Sequence, residues 1–244
     1  MAKAQELHNV LVEIAAEVDE NLMEKFFDEG TLSEEELAEG LTIALSNQDF
    51  YPVFITAALQ NMGSGRIMGF INDIAPTPAD TQPAMLENGE TIQCSSDGDT
   101  VLFIFKTMTE PQVGLVSYFK VYSGVLKSGQ DLVNLNNRTT ERLNQIFVSN
   151  GKNRVSVEEL KAGDIGVTVK LKNSHTNNTL APKDSELKLE EIHFPSSRIQ
   201  EALIPPGKAE MEKLMKALHT IEEEEPTLIV EINPVLKQSI LHGQ

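Results

Sequence analysis

Between residues 101 and 171 the sequence is a succession of short β-rich runs separated by turn dipeptides, and this pattern limits the fold most strongly. Ser-Gly, Asn-Gly and Asn-Asn pairs stand between the runs. About five strands at such close spacing favour a closed antiparallel β-barrel. We assign the barrel to residues 92–189. The predicted strands cover residues 101–106, 115–122, 131–134, 141–148 and 166–171.

The sequence before residue 77 has helical periodicity instead. Apolar residues recur every three or four positions from Leu7 to Phe26, which predicts one amphipathic helix ending near Gly30. Ser33 and Glu36 have the spacing of a capping box, in which the hydroxyl and the carboxylate each accept from the other residue's backbone amide. This pair predicts the start of a second helix.

An apolar run at residues 51–56 predicts a short buried strand, followed by a helix over residues 64–74. One strand cannot make a sheet, so the α/β segment 1–76 is incomplete by itself. Residues 77–91 are polar and proline-rich, and we interpret them as a linker.

After the barrel, residues 190–244 predict the order β-α-β-β. The strands are expected at residues 197–204, 228–232 and 239–242, with a turn at Pro205-Pro206 before the helix. This order is most of a ferredoxin-like split βαβ domain. The fold class is therefore multidomain α+β/β, with a partial α/β remnant, a β-barrel and a partial split βαβ domain. A sequence left open at both ends is expected to be a fragment of a longer protein.

The glycine-rich stretch Gly63-Ser-Gly65-Arg-Ile-Met-Gly69 resembles a dinucleotide-binding fingerprint but departs from its spacing. Its third glycine comes one residue late, and Gly63 lies seven residues beyond Thr56. A dinucleotide-dependent enzyme is therefore a poor alternative. The pair Gly151-Lys152 also fails as a phosphate loop, because Ile146 stands where the first glycine is required.

The charge and the cysteine and histidine content exclude several further classes of function. The net charge of -17 opposes broad wrapping of a nucleic-acid backbone, so any such contact must be local. The single cysteine, Cys94, suits a reducing cytoplasm. Five scattered histidines provide no zinc-ligand spacing, and no serine or threonine has a marked base beside it. We predict no catalytic and no metal-binding residues in this sequence.

Three blocks in the predicted barrel carry a resemblance to a known family. They read FKVYSGVLKSG at residues 119–129, KAGDIG at 161–166 and LKNSHTNNTL at 171–180. In order and spacing the blocks resemble domain II of the translational GTPases, and within that family elongation factor G. The resemblance extends to both flanks, which look like the end of the G domain and the first part of domain III.

This resemblance implies a site for the guanine base. Ala57, Ala58 and Leu59 stand where the family has its fifth nucleotide motif, whose backbone amides meet the guanine O6. Ala57 replaces the serine usual at that position. The phosphate loop and the other nucleotide motifs do not occur in this sequence. GTP and Mg²⁺ are therefore expected as cofactors of the parent protein, and none is expected for this fragment alone.

The resemblance also implies a ribosome-dependent GTPase that moves tRNA and messenger, with domain II docked on small-subunit rRNA. We predict the contact at five residues of the barrel: Lys120, Ser123, Gly124, Lys127 and Arg138. Gly124 and the nearby Gly129 also have a purely structural explanation, because tight turns favour glycine at positive φ.

Two alternatives stay open at this point. The parent could be a specialised paralogue or a ribosome-protection factor that confers drug resistance, since those differ mainly in segments outside this sequence. A stand-alone β-barrel that binds protein or RNA without a nucleotide cycle is the alternative from another class.

Overall fold

A computed structural model describes residues 2–151, 153–203, 207–233 and 238–243. The protein divides into two compact units, Met1–Gln82 and Pro83–Gln244. Within the described residues, no helix is both long and apolar enough to cross a membrane.

The first unit is helical. Its core is formed by apolar residues of three helices, with Val12, Ala15 and Leu41 among the most buried. The helices are α1 (Ala2–Ala16), α2 (Glu20–Glu29), α3 (Glu34–Asn47) and α4 (Ser64–Asp73), with a 3-10 turn at Ala58–Gln60.

The single helix predicted from Leu7 to Gly30 is wrong at one point, because the helix breaks between α1 and α2. Asp19 has an extended backbone, and its carboxylate accepts from the amides of Asn21 at 2.9 Å and Leu22 at 3.2 Å. This N-cap begins a new helix. The predicted end at Gly30 is confirmed, since its left-handed backbone caps α2.

The predicted capping box at α3 is confirmed. The Ser33 hydroxyl accepts from the Glu36 amide at 3.3 Å, and the Glu36 carboxylate accepts from the Ser33 amide at 2.9 Å. Lys25 of α2 also donates to the Glu36 carboxylate. The contact with Lys25, and then those with Ser33, lower the pKa of Glu36 to about 2.

The strand predicted at residues 51–56 is wrong for this protein. The segment has no regular secondary structure and pairs with no strand among the described residues of its unit. Tyr51, Val53 and Ile55 are 76%, 89% and 97% exposed, while Phe54 packs edge-on against Phe70 of α4 at a centroid distance of 5.0 Å. An apolar segment with strand-like sequence therefore lies open to solvent.

The second unit contains the predicted β-barrel. An eight-stranded antiparallel sheet, in the order β7-β6-β12-β3-β4-β11-β8-β9, curls around an apolar core. β5 and β10 form a second, two-stranded sheet, and β10 contacts β4. The strands are β1 (Ala84–Met85), β2 (Thr91–Ile92), β3 (Val101–Glu110), β4 (Gly114–Ser123), β5 (Val125–Lys127), β6 (Gln130–Asn134), β7 (Thr140–Leu143), β8 (Ile146–Asn150), β9 (Asn153–Val157), β10 (Glu159–Lys161), β11 (Ile165–Val169) and β12 (Asn178–Ala181).

Two parts of the barrel differ from the sequence interpretation. The run 141–148 contains two strands, β7 and β8, which pair with different neighbours, and Asn144 and Gln145 lie between them. Part of the predicted linker, residues 77–91, is packed: β1 and β2 form a hairpin whose Leu86 is buried and bridges to Leu189. A buried leucine anchors that hairpin to the barrel.

The last part of the second unit has the predicted β-α-β-β order. It consists of β13 (Ile199–Leu203), α5 (Lys208–Glu224), β14 (Ile229–Asn233) and β15 (Gln238–Gly243). The three strands form an antiparallel sheet in the order β13-β15-β14, with α5 contacting β14 and the barrel strand β3. The predicted turn at Pro205-Pro206 lies outside the described residues.

Candidate functional site

The predicted nucleotide-base motif is a tight loop in the first unit. Ala57 and Met62 exchange both backbone hydrogen bonds, each at 3.1 Å, and so close the loop around the 3-10 turn. Leu59 at its tip is 98% exposed. Among the described residues, the backbone N–H groups of Ala58 and Leu59 have no hydrogen-bond acceptor. These two amides are therefore available to a ligand.

The loop keeps its shape without a side-chain hydroxyl at position 57. The Ala57 carbonyl accepts from both Met62 and Gln60, at 3.1 Å each, so the backbone alone ties the loop. Gly63 follows with a left-handed backbone and is the N-cap residue of α4. Since residues 51–56 are not paired in a sheet, this glycine does not follow a strand as the dinucleotide fingerprint requires.

Ser123 and Gly124, two of the predicted ribosome-contact residues, lie packed at the end of β4. Ser123 is buried and forms a bridge with Ser95, whose carbonyl accepts from the Gly124 amide at 2.8 Å. A Cβ on Gly124 would lie 2.6 Å from the Gly98 carbonyl oxygen. The structural role of Gly124 is thus explained by its φ of 72° and its close neighbours.

Lys120, another of the predicted contact residues, lies on β4. Its Nζ stands 5.1 Å from the ring centroid of Tyr122, within cation–π range. Tyr122 packs edge-on against Phe103 at 6.5 Å, and burial raises the pKa of its hydroxyl. Both aromatic rings line a shallow groove of about 380 Å³ beside the β1–β2 hairpin.

Lys127 and Arg138 are not brought together. Lys127 ends β5, just before β6, whereas Arg138 follows β6 in the turn toward β7. A strand of five residues such as β6 is roughly 14 Å long, which separates the two cations along the barrel wall. Of the predicted contact residues, Ser123 and Gly124 are thus buried in a turn, while Lys127 and Arg138 lie on either side of β6.

The most connected polar cluster of the barrel was missed by sequence reasoning. Glu141 of β7 is 3% exposed and accepts from the Asn173 amide at 2.6 Å, the Lys172 amide at 3.1 Å and the Ser174 hydroxyl at 3.1 Å. Asn134 of β6 is fully buried and donates to the Asn173 carbonyl at 3.1 Å and the Ser174 hydroxyl at 3.0 Å. These bonds fix the loop that begins at Lys172.

This loop is the third block of the resemblance, LKNSHTNNTL. The Asn178 side-chain oxygen accepts from the Asn134 side-chain nitrogen at 2.8 Å and from the His175 amide at 3.0 Å. The run of asparagines was the available signal, because asparagine side chains hydrogen-bond to nearby backbone groups and stabilise turns. Its partners on β6 and β7 lie more than 30 residues away and cannot be seen locally.

Three carboxylates of the acidic run Glu222–Glu225 accept hydrogen bonds. Glu224 accepts from the backbone amide of Thr109 on β3 at 2.7 Å. Glu222 accepts from the Val230 amide at 3.0 Å, and Glu225 from the Thr227 hydroxyl at 2.7 Å. These contacts offset the unfavourable interaction of carboxylates with the C-terminal end of the helix dipole.

The described residues contain no cluster of three His, Cys, Asp or Glu side chains that could hold a metal ion.

Comparison with known proteins identifies the class of the barrel. Residues 99–182 match the family model for elongation factor G domain 2. The barrel is therefore similar to elongation factor G domain 2, and the predicted resemblance of the sequence to this factor is confirmed.

A solved structure extends the likeness beyond the barrel. The crystal structure of a protein from Thermus thermophilus superposes on 99% of this chain, with a TM-score of 0.79 and 25% sequence identity. The aligned region is 35% of that protein's length, so the present sequence spans about a third of it. The likeness therefore includes the parts of the sequence on both sides of the barrel.

Proposed function

We propose that this sequence is part of a ribosome-dependent GTPase of the elongation factor G type, which promotes translocation of tRNA and mRNA. The observation that carries the proposal is the domain 2 match at residues 99–182, set within a fold that follows a longer protein over 99% of the present sequence. Protein synthesis places such a factor in the cytoplasm.

In this proposal the barrel docks on rRNA of the small ribosomal subunit. Lys120, Lys127 and Arg138 supply phosphate contacts, which are modest and sensitive to salt. Ser123 and Gly124 contribute by holding the turn after β4 in place, since both are packed against residues 95–100. The net charge of -17 supports local contacts rather than wrapping of RNA.

The same proposal assigns the guanine base to the loop at Ala57, Ala58 and Leu59. The amides of Ala58 and Leu59, which have no acceptor among the described residues, support this role because backbone N–H groups can donate to a base carbonyl. GTP and Mg²⁺ would bind mainly through a phosphate loop, a motif that this sequence does not contain. We therefore expect the present polypeptide alone to bind guanine nucleotides only weakly and to hydrolyse no GTP.

The exposed segment 51–56 supports a larger G domain around this loop. Its apolar side chains would be covered if neighbouring strands paired with it. An apolar extended segment left open to solvent would otherwise favour aggregation.

The experiment is to express the complete reading frame that encodes this sequence and to measure GTP turnover with and without ribosomes. We expect turnover to rise strongly when ribosomes are added. A purified full-length product that binds no GTP, or whose turnover is unchanged by ribosomes, would contradict the proposal.

A further inference from the structure

Gly63 directly follows the loop to which the proposed function assigns the guanine base. Its backbone is left-handed, with φ of 89° and ψ of -15°. A Cβ at this position would lie 2.9 Å from Cγ2 of Thr56 and 3.4 Å from the carbonyl oxygen of Ile55. Two carbon atoms reach their best separation at about 3.5 to 4.0 Å. The Thr56 side chain therefore occupies the space that a side chain on residue 63 would need.

This contact lies beside the two hydrogen bonds that close the loop. Thr56 precedes Ala57 and Gly63 follows Met62 in the sequence. Ala57 and Met62 exchange both backbone hydrogen bonds, each at 3.1 Å. A displacement of Thr56 or Gly63 would thus be passed directly to the residues that close the loop. The two loop amides without an acceptor among the described residues lie between them.

Other glycines of the first unit lack this combination. Gly65 and Gly69 lie in α4, and no atom outside their helix backbone is closer than 4.0 Å to the position of a Cβ. Gly30 has a positive φ of 72°, but nothing lies within 4 Å of its Cβ position. A side chain on Gly63 would both strain the backbone and displace Thr56, whereas one on Gly30 would only strain the backbone.

We propose that Gly63 is a positioning residue for guanine-nucleotide binding, acting through Thr56 on the loop. The inference rests on the proposed function, because it concerns the same loop. The missing side chain lets Thr56 stand beside Gly63, and this keeps the bridge between Ala57 and Met62 closed. The free amides of the loop are thereby held in one arrangement before the nucleotide binds. Binding then loses less conformational entropy in ordering the loop.

The test uses the product of the complete reading frame and two nucleotides, GDP and 6-thio-GDP. In the second, a sulfur replaces the guanine O6, and sulfur is a weak hydrogen-bond acceptor. We expect wild type to prefer GDP. In Gly63→Ala, GDP affinity should fall by about tenfold, the size expected for one hydrogen bond, and 6-thio-GDP affinity much less. A general loss of stability would instead lower both affinities alike.

Two further variants separate displacement of Thr56 from backbone strain. Gly30→Ala adds strain without a close neighbour, so the preference for GDP should stay at the wild-type value. Thr56→Ser removes Cγ2, the atom nearest the added Cβ, and should restore most of the preference when combined with Gly63→Ala. If Gly63→Ala alone does not fold, this double variant decides. A double variant that stays unfolded, or that lacks the preference, overturns the proposal.

The possible failures can be told apart. A wild-type product that binds no GDP contradicts the proposed function and this inference together. Equal wild-type affinity for the two nucleotides contradicts the assignment of the base to this loop, and with it the inference. A preference for GDP that Gly63→Ala fully retains overturns the inference alone.

Hydrogen exchange without nucleotide gives an independent measurement. The amides of Ala57 and Met62 should exchange faster in Gly63→Ala than in wild type, because the bridge between them opens more often. Gly30→Ala should leave both rates unchanged. Equal exchange in wild type and Gly63→Ala would show that Gly63 does not hold the loop closed.

Discussion

Gly124 is a predicted ribosome-contact residue that the fold also requires to be glycine. Its left-handed backbone ends β4, and its missing side chain lets residues 98–100 pass at contact distance. Gly129 has a similar φ of 82°, but nothing lies within 4 Å of its Cβ position. A side chain at either position would strain the backbone, but only at Gly124 would it also clash with neighbouring atoms.

We predict that Gly124→Ala lowers the free energy of unfolding by about 3 kcal/mol or more, since strain and overpacking add. Gly129→Ala should cost only about 1 kcal/mol, because strain acts alone. Urea unfolding of both variants measures the difference. Equal losses would show that the neighbours of Gly124 move aside without cost.

Glu141 carries the second single-residue prediction. Its buried carboxylate accepts from two backbone amides and one hydroxyl of the 172–174 segment. Truncation leaves those donors unpaired, so we expect Glu141→Ala to lower the free energy of unfolding by about 2 to 3 kcal/mol. The exposed Glu158→Ala is the matched control and should change it by less than about 0.5 kcal/mol. Similar values for the two variants in urea would contradict the assigned role of Glu141.

Among the elements, α3 was foreseeable from the sequence because its capping box spans only four residues, Ser33 to Glu36. The break before α2 was not, since Asp19 can cap a helix or continue one, and the apolar periodicity passes through it unchanged. The separation of β7 from β8 was missed for a similar reason. The hydrogen bonds around Asn134 and Glu141 join residues 31 to 44 positions apart. Contacts over such a separation cannot be predicted from a local sequence pattern.

The capping box predicts an acid dependence of the first unit. The pKa of Glu36 is lowered to about 2 from an ordinary value of 4.5, first by Lys25 and then by Ser33. A carboxyl group with a lowered folded-state pKa stabilises the fold above pH 4.5, and this contribution disappears as the pH falls through about 2. Wild type should therefore exceed Glu36→Gln in thermal stability at neutral pH, and the gap should close in acid. Thermal melts followed by circular dichroism at several pH values measure this difference between wild type and Glu36→Gln. A difference that stays constant with pH would contradict the assigned role of Glu36.

One hydrogen bond between α5 and the barrel joins the Glu224 carboxylate to the amide of Thr109. Replacing Glu224 by Ala should speed hydrogen exchange at the Thr109 amide by roughly tenfold, since one hydrogen bond to a charged acceptor is lost. The neighbouring Glu223→Ala is the control, because Glu223 is exposed and accepts no hydrogen bond among the described residues. Unchanged exchange in Glu224→Ala would show that α5 does not protect this strand.

Over the whole molecule, the order of the helices and strands was easier to predict from the sequence than their boundaries and exposed surfaces. The β-barrel and the β-α-β-β segment were predictable because turn dipeptides and alternating apolar runs are local signals. The surface of the barrel was harder to predict, since Lys127 and Arg138 lie on either side of β6 and their contact with rRNA stays a prediction. The open segment 51–56 was misjudged as buried because its apolar composition says nothing about whether covering strands are present.

The proposed function is that the full-length protein moves tRNA and messenger on the ribosome. Its most direct test is a reconstituted translocation assay in which the full-length product and GTP are added to pre-translocation ribosomes. We predict that peptidyl-tRNA becomes reactive to puromycin at a rate that depends on both the protein and GTP. A full-length product that hydrolyses GTP on ribosomes but leaves peptidyl-tRNA unreactive would contradict the claim.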